Sequence, residues 1–179
     1  MKKLKSIQGI PIKYIQSILK IDPTSPSGLT WIKKSKIAGT LKAYKEKGIL
    51  TGKKYWVIKV PYNGKRYDLI VHRIILLLKE NMLDPDKEVD HEDGDTLNNN
   101  PDNLRESTHS QNMHNSKVPK NNTSGHKGIF WHKASGKWEV RIRLNGKLCN
   151  FGLYEKLEDA IKVSIKARKK IHGEFGRIK

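Results

Sequence analysis

Two segments of the chain carry the same β-hairpin design, and this repetition constrains the fold more strongly than the overall composition does. Trp56 and Trp138 each precede an Asn-Gly-Lys turn by seven residues, at positions 63–65 and 145–147. Asn-Gly tolerates the positive φ angles that tight hairpin turns require. The flanking residues have the apolar and β-branched character of strands. We therefore predict two antiparallel hairpins, formed by residues 55–60 with 66–71 and by residues 137–144 with 148–154.

The remaining periodic segments predict an α+β fold. Apolar residues recur at helical spacing from Ile74 to Met82, so a helix is expected over residues 72–82, before Pro85. Small side chains recur from Ala160 to Ala167, which predicts a helix over 157–171 that lies close to a sheet. The other predicted elements are a helix over 12–19, strands over 89–92, 104–108 and 128–133, and a helix from Thr108 or Ser110 to about residue 117. This order describes a central strand–loop–strand–helix unit and a small three-stranded antiparallel sheet packed on one helix.

Charge divides the chain into segments. The 36 Lys and Arg residues outnumber the 18 Asp and Glu residues, which gives a net charge of +18. Residues 1–70 hold 16 basic and 3 acidic side chains, residues 71–118 hold 5 and 10, and residues 119–179 hold 15 and 5. Basic ends around an acidic centre suit a protein that grips phosphates and holds a cation between them, although a solvated acidic loop would give the same pattern. We predict an N-terminal module at 1–70, a central unit at 71–118, a linker at 119–124 and a C-terminal domain at 125–179.

Length and composition exclude several classes of protein. A chain of 179 residues with 36% hydrophobic residues can form one domain or two small ones, but not a large multidomain enzyme. The single Cys149 excludes an internal disulfide and a zinc site built from cysteines. No apolar run approaches the roughly 20 residues of a membrane span. Gln8 and Pro11 interrupt the segment where a signal peptide would need an apolar stretch. We therefore expect a cytosolic protein with no membrane partner and no obligate protein partner.

The acidic centre contains the side chains best suited to chemistry. Its sequence, VDHEDGDTLNNNPDNLRESTHSQN, places Asp90 and His91 on the first predicted strand. Asn103 precedes the second strand, and Asn112 lies in the first turns of the following helix. The oxygens of Asp90 and Asn112 suit Mg²⁺, which keeps several waters and binds substrate phosphate, and a neutral His91 beside the ion could take a proton from water. This interpretation requires Asp90 and Asn112 to be close enough to share an ion, and His91 to be open to solvent.

The spacing of these residues resembles the HNH family of nucleases with the ββα-metal fold, and in particular the phage-type HNH homing endonucleases. The Asp-His pair is followed by Asn twelve residues after the His and by another Asn nine residues later, within VHRIILLL, VDHEDGD and NNNPDNLRESTHSQN. The resemblance implies a metal-dependent endonuclease in a bacterial or phage-infected cell that nicks or cuts double-stranded DNA, leaving 5′-phosphate and 3′-hydroxyl ends. It implies His91 as the general base and Asn103 as the residue that orients its ring. Asp90 and Asn112 would be the ligands of one divalent ion, Mg²⁺ with Mn²⁺ as the alternative.

Other interpretations of the same residues remain open. His91 could be a surface histidine with no catalytic role. Asn103 and Asn112 could serve only to form turns and helix caps. His72 heads the predicted apolar helix and is expected to pack or hydrogen-bond rather than to act directly. His109 and His114 lack the spacing of a structural zinc site. A non-catalytic DNA-binding regulator and an RNA-binding protein are the alternative functions.

The C-terminal segment has the pattern of a DNA-binding sheet. Alternation along residues 138–144 places Arg141 and Arg143 on the face opposite Val140 and Ile142. A sheet fits the major groove, and Arg reads guanine through two hydrogen bonds, whereas an ordinary solvated sheet is the alternative. The segment from GHKGIFWHK to KKIHGEFG resembles the plant ethylene-response-factor (APETALA-type) DNA-binding domain, also found fused to phage HNH nucleases, although its first strand lacks the further arginines typical of plant domains. We expect both arginines to read bases and four lysines to contact phosphates, namely Lys127, Lys133, Lys137 and Lys147.

Overall fold

The computed structural model describes residues 5–46, 49–119, 121–144 and 146–176, with the backbone alone for residues 44–46 and 49–53. The chain divides into two compact units, Met1–His109 and Ser110–Lys179. Within the described residues, small antiparallel sheets and four α-helices form a mixed α and β fold. No helix in this part of the chain is both long and apolar enough to cross a membrane.

The first unit consists of short antiparallel sheets around two helices. The strands pair as β1-β2, β3-β4-β5, β6-β7-β8 and β9-β10. In chain order the elements are β1 (Ser6–Ile7), β2 (Ile10–Pro11), α1 (Ile12–Ile18), β3 (Leu19–Ile21), β4 (Leu29–Trp31), β5 (Lys36–Ile37), β6 (Thr40–Glu46), β7 (Ile49–Tyr62), β8 (Lys65–Ile70), α2 (Val71–Glu80), β9 (Glu88–His91) and β10 (Leu104–Ser107).

The first predicted hairpin is formed by β7 and β8. Tyr62 pairs with Lys65 across the turn. The two turn residues have the positive φ angles expected of Asn-Gly, 47° at Asn63 and 74° at Gly64. The hairpin prediction is confirmed, but β7 is longer than predicted and pairs on its other edge with β6, which the sequence pattern did not predict.

The buried apolar side chains described for the first unit form one core. It extends from Ile7 near the N-terminus to Leu104 in β10, and α2 contributes Ile74 and Leu77 as fully buried side chains. The helix ends at Glu80, followed by Asn81 in the left-handed conformation, slightly before the predicted end at residue 82. Because residues on both sides of position 70 share this core, the expected division between 1–70 and 71–118 does not coincide with separate cores.

The second unit contains the predicted sheet of three strands. Its elements are β11 (Ile129–His132), β12 (Lys137–Leu144), β13 (Lys147–Tyr154), α4 (Leu157–His172) and α3 (His109–Asn115), whose first residue still belongs to the first unit. The strands pair in the order β11-β12-β13, and Ala160 of α4 joins Ile129, Val140 and Ile142 in the core between helix and sheet. Asn145, in the second predicted turn, lies outside the described residues.

The end of the predicted linker is attached to this sheet. Ser124 is buried, and its Oγ lies 2.9 Å from the carbonyl oxygen of Ile129 in β11. Gly128 has a φ of +79°, and a Cβ there would lie 2.7 Å from the carbonyl oxygen of Arg141. Only glycine permits this approach of the chain to β12. Lys120, also part of the predicted linker, lies outside the described residues.

Candidate functional site

The central segment has the predicted order of strand, loop, strand and helix. β9 and β10 pair so that Leu104 lies opposite His91 and Arg105 lies opposite Asp90. The loop between them is built from consecutive Asx turns, in which a side-chain oxygen accepts the backbone N–H two residues further on. Four residues do this, namely Asp93, Asp95, Asn98 and Asn100. The Asp- and Asn-rich composition therefore folds the loop, as expected for these residues.

Asp90 is buried and paired with Arg105. Asp90 is 3% exposed, and its Oδ2 accepts from Nε of Arg105 at 3.0 Å and lies 2.9 Å from Nη2. Nη1 of Arg105 lies 3.7 Å from Glu92 Oε1. The two partners are cross-strand neighbours in the β9-β10 register, where opposite charges attract. Sequence reasoning did not single out Arg105, because the register that brings it to Asp90 follows from the length of a folded loop.

The His91 ring is held by Asn99 in a defined tautomer. Nδ2 of Asn99 donates to the carbonyl oxygen of Ser27 at 2.9 Å, and this carbonyl can only accept. Oδ1 of Asn99 therefore faces Nε2 of His91, at 3.1 Å, and must accept from it. With the proton on Nε2, a neutral His91 carries its lone pair on Nδ1, the nitrogen that a general base needs.

Gly28 allows the Asn99 loop to reach this position. A Cβ on Gly28 would lie 3.0 Å from the carbonyl oxygen of Asn99 and 2.8 Å from Cδ1 of Ile75. Its φ of +80° also disfavours other residues. Asn99 lies in the run of three asparagines at positions 98–100. No sequence signal distinguishes it from its neighbours, since its contact with Ser27 joins distant parts of the chain.

Burial keeps the His91 ring neutral. His91 is 5% exposed, and burial lowers its pKa below the usual value, partly opposed by the bond to Asn99 and by nearby aspartates. The ring of His72 lies edge-on at a centroid distance of 5.0 Å, and burial lowers the pKa of His72 well below its usual value. Tyr55 contacts both rings, at 5.5 Å from His72 and 6.4 Å from His91. The neutral form suits a base, but the buried ring does not meet the requirement of solvent access.

Asn103 fixes the loop rather than contacting the ring. Its Nδ2 donates to the carbonyl oxygen of Asn98 at 2.8 Å and to Oδ1 of Asp93 at 3.0 Å. Its Oδ1 accepts the backbone N–H of Asp93. Since Asn98 directly precedes Asn99, any influence of Asn103 on the orientation of the His91 ring is indirect.

Asn112 lies in the second unit, and Asp90 lies in the first. Asn112 is half-buried in α3. A metal ion shared by these two residues therefore stays a prediction. Among the described residues, no cluster of three or more His, Cys, Asp or Glu side chains could hold a metal ion. His109 lies 2.8 Å from Glu88 Oε1, and His114 stacks on His172 at 3.7 Å between ring centroids.

The outer face of the C-terminal sheet carries the predicted arginines. Arg141 is half-buried. Arg143 is exposed and lies opposite Leu148 of β13 in the strand register. Lys133 and Lys147 are exposed, and Lys137 lies 3.2 Å from Glu155. The ammonium group of Lys127 donates to three carbonyl oxygens at the end of α3 and to Ser116 Oγ, at 2.6–3.1 Å. These bonds occupy its donors, which weakens the prediction that Lys127 contacts phosphate.

Known proteins match the segment that contains this site. Residues 70–114, from the end of β8 into α3, match the family model described as HNH endonuclease. The chain is 38% identical over 91 residues to Protein 3.8 of Escherichia phage T7, covering 51% of this chain and 74% of that protein. It is 43% identical over 54 residues to H-N-H endonuclease F-TflI of Escherichia phage T5, covering 28% of each protein. No solved structure matches. The chain therefore belongs to the family of phage T7 Protein 3.8 and contains an HNH endonuclease domain at residues 70–114.

Proposed function

We propose that the protein is a metal-dependent endonuclease that hydrolyses phosphodiester bonds in double-stranded DNA, by nicking or by double-strand cleavage. One observation carries this proposal, namely a neutral His91 whose tautomer is set by Asn99 and Ser27 inside the segment that matches HNH endonucleases. The relative named as an H-N-H endonuclease supports the same reaction class. The net charge of +18 favours a polyanionic substrate.

In this mechanism His91 is the general base. Nδ1 takes a proton from water while the water oxygen attacks phosphorus in line with the 3′ oxygen. The bond between phosphorus and the 3′ oxygen breaks, the leaving oxygen takes up a proton from solvent, and the products are 5′-phosphate and 3′-hydroxyl ends. Asn99 holds the ring through its bond to Nε2. Asn103 maintains the loop that carries Asn99.

We propose Asp90 and Asn112 as the residues that would hold one divalent ion, Mg²⁺ or Mn²⁺. The donor chemistry fits, because Mg²⁺ takes one or two protein oxygens and fills its remaining positions with water and phosphate. The buried Asp90 carboxylate is also paired through Oδ2 with the guanidinium of Arg105, so the ion would have to share this carboxylate with Arg105. When bound, the ion would neutralise charge on the phosphate oxygens in the transition state.

Burial of His91 adds a condition to the proposal. His91 is only 5% exposed, so we infer that DNA binding opens a path for water to Nδ1 before the reaction. The same burial favours a second candidate function, a non-catalytic DNA-binding regulator that keeps the fold. Cleavage distinguishes the two, since a regulator binds DNA without cutting it.

The test is cleavage of supercoiled plasmid with Mg²⁺ or Mn²⁺ by the full chain and by His91→Ala. We expect the variant to lose cleavage by about a hundredfold or more, which is typical for removal of a general base, and to keep DNA binding. His109→Ala is the matched control, because that histidine is exposed and pairs only with a surface glutamate among the contacts above. Full activity in His91→Ala would remove His91 from the reaction. A wild-type chain that binds but never cuts would favour the regulator.

A further inference from the structure

The two arginines on the outer face of the C-terminal sheet are held differently. The guanidinium of Arg141 lies over the ring of Phe130, 4.8 Å from its centroid, and its Nε lies 3.3 Å from Glu139 Oε2. Nε is buried and makes no hydrogen bond within the described residues, so the contact with Glu139 is an ion pair. Arg143 instead donates from Nη1 to the carbonyl oxygen of Gly146 at the end of its own strand pair. Arg141 is restrained from two sides, whereas Arg143 is tied to the turn.

Glu139 is an unusual residue for a surface that faces a polyanion. It is only 9% exposed, although it lies on the outer face with Arg141. Its Oε1 accepts from Nδ2 of Asn150 on β13, at 2.8 Å, while Oε2 faces Arg141. An acidic side chain here repels DNA phosphates, so it weakens binding that depends on charge alone. Its two contacts instead fix the position of Arg141 between β11 and β13.

We propose that Arg141 is the guanidinium that reads guanine in duplex DNA, and that Glu139 and Phe130 are its positioning residues. This inference rests on the proposed function, in that it takes double-stranded DNA as the ligand. An arginine held in place before binding loses less conformational freedom when it forms its two bonds to a base. The side-chain contacts of Arg141 within the described residues are the one from Nε to Glu139 and the one with the Phe130 ring, which leaves the two Nη nitrogens for the two acceptors of guanine. Arg143 then contributes charge rather than sequence discrimination.

Charge and shape of this face favour duplex DNA as the occupant. Residues 119–179 hold 15 basic and 5 acidic side chains. A small antiparallel sheet can enter the major groove. Phe130 and Leu148 are exposed on the same face as Arg141 and can contact thymine methyl groups. The face therefore combines one restrained guanidinium group, that of Arg141, with apolar side chains, and both are features of sequence-specific recognition of bases.

The experiment measures base preference and general affinity separately. The full wild-type chain selects its preferred duplex from a randomised library in EDTA, which prevents metal-dependent cleavage. Affinities are then measured for that duplex and for copies in which each G·C pair is replaced, using fluorescence anisotropy. Glu139→Gln keeps an acceptor for Asn150 and removes the charge that faces Arg141. We expect it to lose preference at one G·C pair by about tenfold while its affinity for an unrelated duplex rises.

Arg141→Lys and Arg143→Lys are the matched pair. Both keep the positive charge and lose the planar fork. We expect Arg141→Lys to lose preference at the same G·C pair and Arg143→Lys to keep it, and circular dichroism confirms folding of each variant. Undiminished discrimination in Arg141→Lys, or in a folded Glu139→Gln, would overturn the proposal. Binding and discrimination without any cleavage in Mg²⁺ would overturn the nuclease function and leave this inference standing.

Discussion

Replacement of Arg105 by Gln tests the buried ion pair beside His91. Asp90 is 3% exposed, and its carboxylate lies 2.9 and 3.0 Å from two nitrogens of Arg105. Removal of one partner from a buried pair costs about 3–5 kcal/mol. The Arg105 side chain retains 13% exposure, so we expect the lower end, about 3 kcal/mol. For a unit of this size, 1 kcal/mol corresponds to about 4–8 °C, so the Tm of the first unit should fall by about 12–24 °C.

The assay is thermal unfolding of the full chain at neutral pH, monitored by calorimetry so that the transitions of the two units can be separated. Asp90→Asn alone should also lower the free energy of unfolding. The double variant should lose less than the sum of the two single losses, because it leaves no buried charge without its partner. Lys42→Gln is the control, since Lys42 pairs with Asp68 at 2.8 Å on the surface, where such pairs contribute about 0–1 kcal/mol. An Arg105→Gln variant as stable as Lys42→Gln, or strictly additive effects in the double variant, would refute the reasoning.

Two further predictions concern the same unit. Gly28→Ala should lower the free energy of unfolding by about 2 kcal/mol or more, because the new Cβ clashes with Asn99 in addition to straining the backbone. Gly64→Ala has a similar φ but nothing near its Cβ, so it should show the backbone strain alone. Equal losses for the two variants in urea unfolding would contradict this. Burial lowers the pKa of His72 well below its unfolded value of about 6.5. Below pH 6.5 the unfolded chain therefore binds more protons than the folded one, so the free energy of unfolding should fall by up to about 1.4 kcal/mol for each pH unit of acidification. His72→Phe keeps the ring contact and should lessen this slope between pH 7 and 5, and an unchanged slope in urea titrations would count against the assignment.

Local patterns allowed much of the fold to be predicted from the sequence. The hairpin of β7 and β8, the helices α2 and α4, and the strands around the acidic loop lie close to the predicted positions. Each depends on interactions within a few residues, such as Asn-Gly turn geometry or apolar spacing on one helix face. The spacing of Asp90, His91, Asn103 and Asn112 likewise indicated the HNH domain, which the family match at 70–114 supports.

The partners of those residues were decided by the tertiary structure. Arg105 reaches Asp90 through the β9-β10 register, and Asn99 reaches His91 because its loop is anchored on Ser27. Phe130 meets Arg141 once β11 and β12 are paired, and Asn150 meets Glu139 once β12 and β13 are paired. None of these contacts follows from spacing along the chain.

By itself, the sequence determined which side chains are present, the local elements that carry them and the family to which the central segment belongs. Only the tertiary structure decided which of those side chains are buried, as His91 and Glu139 are, and which partners hold them. The physical reason is the distance along the chain over which each kind of interaction acts. Turn and helix preferences act between neighbouring residues, whereas burial and ion pairing depend on groups that distant segments bring together when the whole core forms.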